Sequence, residues 1–138
     1  MKDKINYADA ANLSSLDSVG AAATHLQAVC HGLALNAGWW TNLQTGEVFR
    51  RPVPELLCLV HSEISEALEG FRKDLMDDKL PHRKMLEVEL ADAVIRIFDM
   101  AGGYGLDLGG AIQEKLQYNT QREDHKIENR KAEGGKKI

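Results

Sequence analysis

An all-α domain organised as a four-helix bundle follows from three features of the sequence. Apolar residues recur at three- and four-residue steps through four long segments. Only three prolines interrupt the 138 residues, and two of them stand together at the head of one such segment. No segment reads as a buried strand. The length suits one domain, 1–138, with a core of its own.

The first helix is expected from an N-cap at Ser15 or Asp17 through Asn36, with Ala22, Leu26, Val29, Leu33 and Ala37 on its apolar face. Gly38 is placed to end it. The run from Trp39 to Glu47 reads as a loop or a small hairpin around Thr45-Gly46. Pro52 and Pro54 open a second helix running to about Asp77, and the polar stretch Asp77–Pro81 turns into the third. That helix is expected to end at Gly102-Gly103, and Asp107 to cap a fourth running through Arg122. Residues 1–14 form an N-terminal arm without a clear period, and 126–138 a charged tail of the kind that is flexible and solvated.

Composition narrows the function. Net charge is −4 and basic residues form no long block, which argues against nucleic acid as a partner. No apolar run is long enough to span a membrane and no signal-peptide pattern is visible, so a cytoplasmic protein is expected. Cys30 and Cys58 lack metal-type spacing and read as small core residues in a reducing compartment.

The chemistry concentrates between Val60 and Met100. Glu63-x-x-Glu66 and Glu89-x-x-Asp92 are separated by 22 residues, each inside a strongly helical pattern. With about 100° of turn per residue and Glu63 at zero, Glu66 lies at about 300°. Leu56, Val60, Ile64, Ala67, Leu68 and Phe71 then fall between about 20° and 140°. The second motif repeats the plan, with Leu86, Leu90, Ala93, Val94, Ile97 and Ala101 as its stripe. Packed as an antiparallel pair, the two helices bring four carboxylates together. Four ionised carboxylates at close range bind protons or recruit a cation. The donors are hard oxygens, which selects Mg²⁺, with Mn²⁺ also suitable, over zinc. The competing reading is that these acids are solvated rims of amphipathic helices. Val88 and Ile95, on the far side of the third helix, read either as tolerated surface residues or as a subunit interface.

With both motifs, their spacing and the run Lys115-Leu116-Gln117-Tyr118-Asn119-Thr120-Gln121-Arg122, the chain resembles the MazG-like family of all-α nucleoside triphosphate pyrophosphohydrolases. That family's pattern is E-x-x-E, a spacer, then E-x-x-D. Glu63, Glu66, Glu89 and Asp92 match it, and the resemblance spans roughly Ser18 to Arg122. It implies Mg²⁺-dependent hydrolysis of a nucleoside triphosphate to the monophosphate and pyrophosphate, by a homodimer or a dimer of dimers (homotetramer). It implies metal ligation by Glu63, Glu66, Glu89 and Asp92, with Glu63 also orienting the water. Lys115, Asn119 and Arg122, at three- and four-residue steps, stand at substrate-binding positions or are solvated surface residues. His31 and Trp40 match a His and an aromatic nine residues apart that flank the base in related enzymes; they read equally as core residues anchoring the loop.

The chain departs from better-known members in having one copy of the motif and a long loop from Thr41 to Arg51. The nucleobase and the sugar therefore do not carry over. Two further classes stay open: a nucleotide sensor without turnover, and a helical regulatory or assembly module. A di-iron carboxylate protein would need E-x-x-H motifs on its helices, and none is present.

Overall fold

The computed structural model describes residues 16–138. The expected arm at 1–14 lies outside them. The fold is all-α, with four main helices: α1 (Leu16–Asn36), α2 (Val53–Arg72), α3 (Met85–Gly103) and α4 (Leu108–Gln121). A 3₁₀ turn, Glu123–His125, and a short helix α5 (Ile127–Lys131) follow, so the expected tail holds a helical turn of its own. No strand occurs among the described residues, only two isolated antiparallel bridges, Thr41 to Val48 and Met76 to Lys84. The chain divides into two compact units, 25–106 and the remainder.

In the 25–106 unit, three helices stop by the same device. After α1, the Trp39 N–H donates to Ala34 O (3.1 Å) and the Gly38 N–H to Leu35 O (3.0 Å). Gly38 takes the left-handed conformation this motif needs, φ 81°. Gly105, φ 63°, does the same after α3, with the Leu106 N–H on Ala101 O at 2.9 Å. After α2 the left-handed position is held by Asp74, φ 50°, and the Leu75 N–H donates to Gly70 O (3.0 Å). The second helix therefore ends at Arg72, about five residues before the expected Asp77. No glycine marks the stop, because Asp is among the few residues other than Gly that tolerate this conformation.

The loop after α1 folds back as a small hairpin-like turn. Asn42 Oδ1 accepts from the N–H groups of Gln44 (2.9 Å) and Thr45 (3.1 Å), and the Phe49 N–H donates to Trp40 O (3.0 Å).

Helices α2 and α3 run antiparallel, as three contacts in reverse order show. The Tyr104 hydroxyl donates to Arg51 O, Arg96 meets Glu63, and Gly70 faces Met85. Their contact uses only one edge of the expected stripe, at Leu56 and Ala67. Leu56, Glu63, Ala67 and Gly70 are the buried residues of α2, whereas Ile64, Leu68 and Phe71 are 48, 59 and 69% exposed. The buried face is turned by about 70° from the predicted one, at about 100° per residue. Small residues explain the turn: a Cβ on Gly70 would stand 2.8 Å from Met85, so the helices approach where side chains are shortest. Helix α1 lies against α3 within the same unit, with Gln27 Nε2 donating to Leu106 O (2.8 Å) and His31 packed on Gly102.

In the second unit, α4 is capped as expected, Asp107 Oδ1 accepting from the Gly110 N–H at 2.9 Å. It lies against the first turns of α1, where Gln113 Nε2 donates to Asp17 Oδ1 (2.6 Å). The segment after α4 is knitted by charges: Arg122 donates twice to Asp124, and Arg130 donates to the carbonyls of Lys136 and Lys137. No described helix is long and apolar enough to cross a membrane.

Candidate metal centre

Two antiparallel helices with small residues at their contact carry acids into the space between them. Glu63 on α2 and Glu89 on α3 are each only 7% exposed, and Asp92, three residues on from Glu89, is half-buried. One carboxylate oxygen from each of the three lies within 4.8 Å of the others. Glu66 is exposed and stands outside this trio. It remains near enough to contribute to the field at Glu89.

The charges in this space are only partly compensated. Burial, a hydrogen bond shared with Glu63 and the neighbouring charges of Glu66, Glu63 and Asp92 push the Glu89 carboxyl from 4.5 up to about 7. The Asp92 carboxyl is also raised, by burial first and then by Glu63, with Asp77 adding to the effect; Arg96 and Lys79 oppose it. The compensating charge is Arg96, one turn beyond Asp92 on α3, whose Nε donates to Glu63 Oε1 at 2.6 Å. Protons on acids that share a site, and a guanidinium on one of them, are what repulsion between carboxylates produces when no stronger cation is present. Hard oxygen donors at this spacing fit a divalent cation of the Mg²⁺ or Mn²⁺ class.

Asp77 opens the polar turn expected at Asp77–Pro81, but its burial was not read from the sequence. It is buried, and its Oδ1 accepts from the N–H groups of Lys79 (3.0 Å) and Leu80 (2.5 Å), bending the chain between α2 and α3. The signal was present, because an Asp followed by a polar turn is a common side-chain-to-backbone bend.

A second polar cluster lies elsewhere in this unit. Asp99 Oδ1 accepts from Trp40 Nε1 (2.8 Å) and pairs with His31 Nδ1 (2.9 Å). The carboxylate offers only acceptors, so the His31 proton sits on Nδ1. Trp40 is 2% exposed, edge-on to His31 and Tyr104, with its ring closely packed on Gly103. Trp39, by contrast, is 64% exposed. His31, Leu35, Trp40, Phe49 and Arg50 are among the residues lining a cleft of about 300 Å³. The nine-residue offset of His31 and Trp40 thus brings the two rings into contact at one cleft. Asp99 was missed, although an acid inside Ile97-Phe98-Asp99-Met100-Ala101 signals a buried group in need of donors.

Lys115, Asn119 and Arg122 belong to the second unit. Lys115 Nζ rests 4.8 Å above the Tyr118 ring. Asn119 Oδ1 is buried without a hydrogen-bond partner among the described residues. Helix α4 stops at Gln121, so Arg122 leaves the helical face shared by Lys115 and Asn119, and its guanidinium is held by Asp124 at 2.9 and 2.7 Å.

No protein-family model, curated protein or solved structure matches this chain.

Proposed function

We propose that Glu63, Glu89 and Asp92, with Glu66 at their margin, hold Mg²⁺ (Mn²⁺ being an alternative), and that the chain is a nucleoside triphosphate pyrophosphohydrolase. One observation carries the reading: carboxylates from both halves of the E-x-x-E and E-x-x-D pattern converge between α2 and α3, one of them pushed up to about 7. A divalent cation bound there would offset charge on a triphosphate and lower the pKa of a bound water.

The chain's own groups have separable tasks. Glu89 and Asp92 would supply oxygens to the cation, Glu89 giving up its proton. Glu63 orients the attacking water with whichever oxygen is not engaged. The cleft at His31, Trp40 and Phe49 offers ring edges and faces to a base, while Asp99 orients the imidazole through Nδ1. A second copy of the chain is the proposed partner, supported by the exposed row Ile64, Leu68 and Phe71 on α2 beside Leu90 and Val94 on α3.

Hydrolysis in ¹⁸O-labelled water tests the reaction. Label in the nucleoside monophosphate and none in pyrophosphate is the expected result. Labelled pyrophosphate, or orthophosphate as first product, would overturn it. A sensor that binds nucleotide without turnover is favoured by one observation: the residue assigned to the water, Glu63, is itself bound by Arg96. Pyrophosphate release from a panel of triphosphates with Mg²⁺ separates the two.

A further inference from the structure

Arg96 sits where the acid trio most needs positive charge. Its Nε donates to Glu63 Oε1 at 2.6 Å, and Glu63 is buried while the arginine side chain keeps 40% of its surface in solvent. Glu63 therefore has a cation already, delivered by a side chain that is itself partly in solvent. Only Nε is engaged among the described residues, so both terminal nitrogens of the guanidinium have no protein partner. Its charge also reaches Asp92, one turn back on the same helix, where it opposes the effect of burial. A divalent cation and a guanidinium close to the same carboxylate repel each other, and in a partly desolvated site that repulsion is strong.

We propose that Arg96 is a resident counter-cation that exchanges with the metal: it neutralises Glu63 in the metal-free protein, withdraws as the divalent cation enters, and turns its freed guanidinium to a phosphate oxygen of the anion the metal brings. Guanidinium is suited to both partners, because its planar fork matches carboxylate and phosphate alike. Solvent exposure of the side chain gives it room to swing by rotamer changes alone. The inference rests on the metal reading of the three acids and adds to it a role for a residue outside both acidic motifs.

Calorimetric titration of Mn²⁺ into wild type, Arg96→Gln and Arg96→Lys, without nucleotide, tests the exchange. Circular dichroism and a melt in chelator establish that each variant is folded. Arg96→Gln should bind Mn²⁺ about three- to tenfold more tightly than wild type, since a competing charge is gone. Its melting temperature in chelator should fall, since Glu63 has lost its partner. With Mn²⁺ saturating, its affinity for inorganic pyrophosphate should fall about tenfold or more, and Arg96→Lys should recover part of it. Equal Mn²⁺ affinity in wild type and Arg96→Gln would overturn the exchange while leaving the metal site standing. Weaker Mn²⁺ binding in Arg96→Gln would overturn it too, by making Arg96 a brace that holds Glu63 for the metal. Absence of Mn²⁺ binding in every variant would instead remove the metal reading on which the proposal stands.

Discussion

Replacing Glu89 by Gln isolates the electrostatics of the acid trio. In the folded chain the Glu89 carboxyl ionises at about 7, against an ordinary value of 4.5. Below pH 4.5 both folded and unfolded states carry the proton and Glu89 contributes no pH dependence. Between 4.5 and 7 the unfolded state has lost the proton and the folded state keeps it. Stability in chelator therefore falls as pH rises, by about 1.4 kcal/mol per pH unit. Above 7 the loss is complete, at about 3 kcal/mol. For a chain of this size that is a drop in melting temperature of about 10 °C between pH 5 and pH 8. Gln keeps the shape, remains neutral at every pH and can still donate a hydrogen bond to Glu63. Glu89→Gln should match wild type near pH 4.5 and melt about 10 °C higher at pH 8, with a flatter pH profile. Saturating Mg²⁺ should raise the wild-type melting temperature most at high pH, where no proton needs displacing, and raise that of Glu89→Gln less. Thermal melts of both proteins from pH 4.5 to 8.5, with chelator and with Mg²⁺, provide the measurement. Parallel profiles for the two proteins in chelator would refute the reasoning, because they would show that Glu89 ionises normally in the fold.

Asp92→Asn should keep the fold by circular dichroism and lose most pyrophosphate release, whereas Glu66→Gln, at the exposed margin, should lose less; full activity of Asp92→Asn would remove the three-acid site. Trp40→Ala should destabilise the 25–106 unit by about 3–5 kcal/mol, since it empties a buried indole site and leaves Asp99 short of a donor. Trp39→Ala, at an exposed ring, should change a denaturation midpoint little, and equal effects of the two would show that Trp40 is not an anchor. Leu68→Glu with Phe71→Glu should convert the proposed oligomer to monomer in sedimentation velocity, leaving helicity unchanged; an unaltered sedimentation coefficient would place the contact between copies elsewhere.

The helix plan was legible wherever glycine chemistry or a cap wrote it down. Gly38 closes α1, Gly103 is the last residue of α3 and Asp107 caps α4, each where the sequence points. The end of α2 was hidden because Asp74 performs a glycine's task. The acid pattern was legible as a pattern, but which acids converge was not. Periodicity identifies the most apolar face of a helix, not the face that meets its neighbour. Ala67 and Gly70 allow a close contact along one edge of the apolar face of α2, which draws Glu63 inward and leaves Glu66 outside. The pairings of Arg96, which the sequence offers as a candidate phosphate contact, and of Asp99 were unreadable for a related reason. Their partners, Glu63, His31 and Trp40, are 33 to 68 residues away, and nothing local marks a pairing over that distance.

The rotation of α2 also connects the two proposals about partners. An isolated helix pair would do best with Ile64, Leu68 and Phe71 inside and the acids in water. Here the arrangement is reversed. Burying a carboxylate costs several kcal/mol unless a counter-charge compensates it, and each large apolar side chain left in water forgoes about 1.5–3 kcal/mol of burial. Both terms disfavour the observed orientation if the chain is considered alone, and Arg96 offsets only part of the first. A divalent cation among Glu63, Glu89 and Asp92 would remove the electrostatic cost, and a second copy over Ile64, Leu68 and Phe71 would recover the apolar burial. Neither partner alone removes both costs. The metal and the subunit contact should therefore be coupled, since both depend on α2 keeping this one rotation: Mn²⁺ should bind more weakly to the Leu68→Glu, Phe71→Glu double variant, although neither residue is a ligand. Sedimentation velocity with and without Mn²⁺ supplies the reciprocal test, in which metal should strengthen self-association. Independence of the two equilibria would mean that the small residues at the α2–α3 contact fix this rotation without help from either partner.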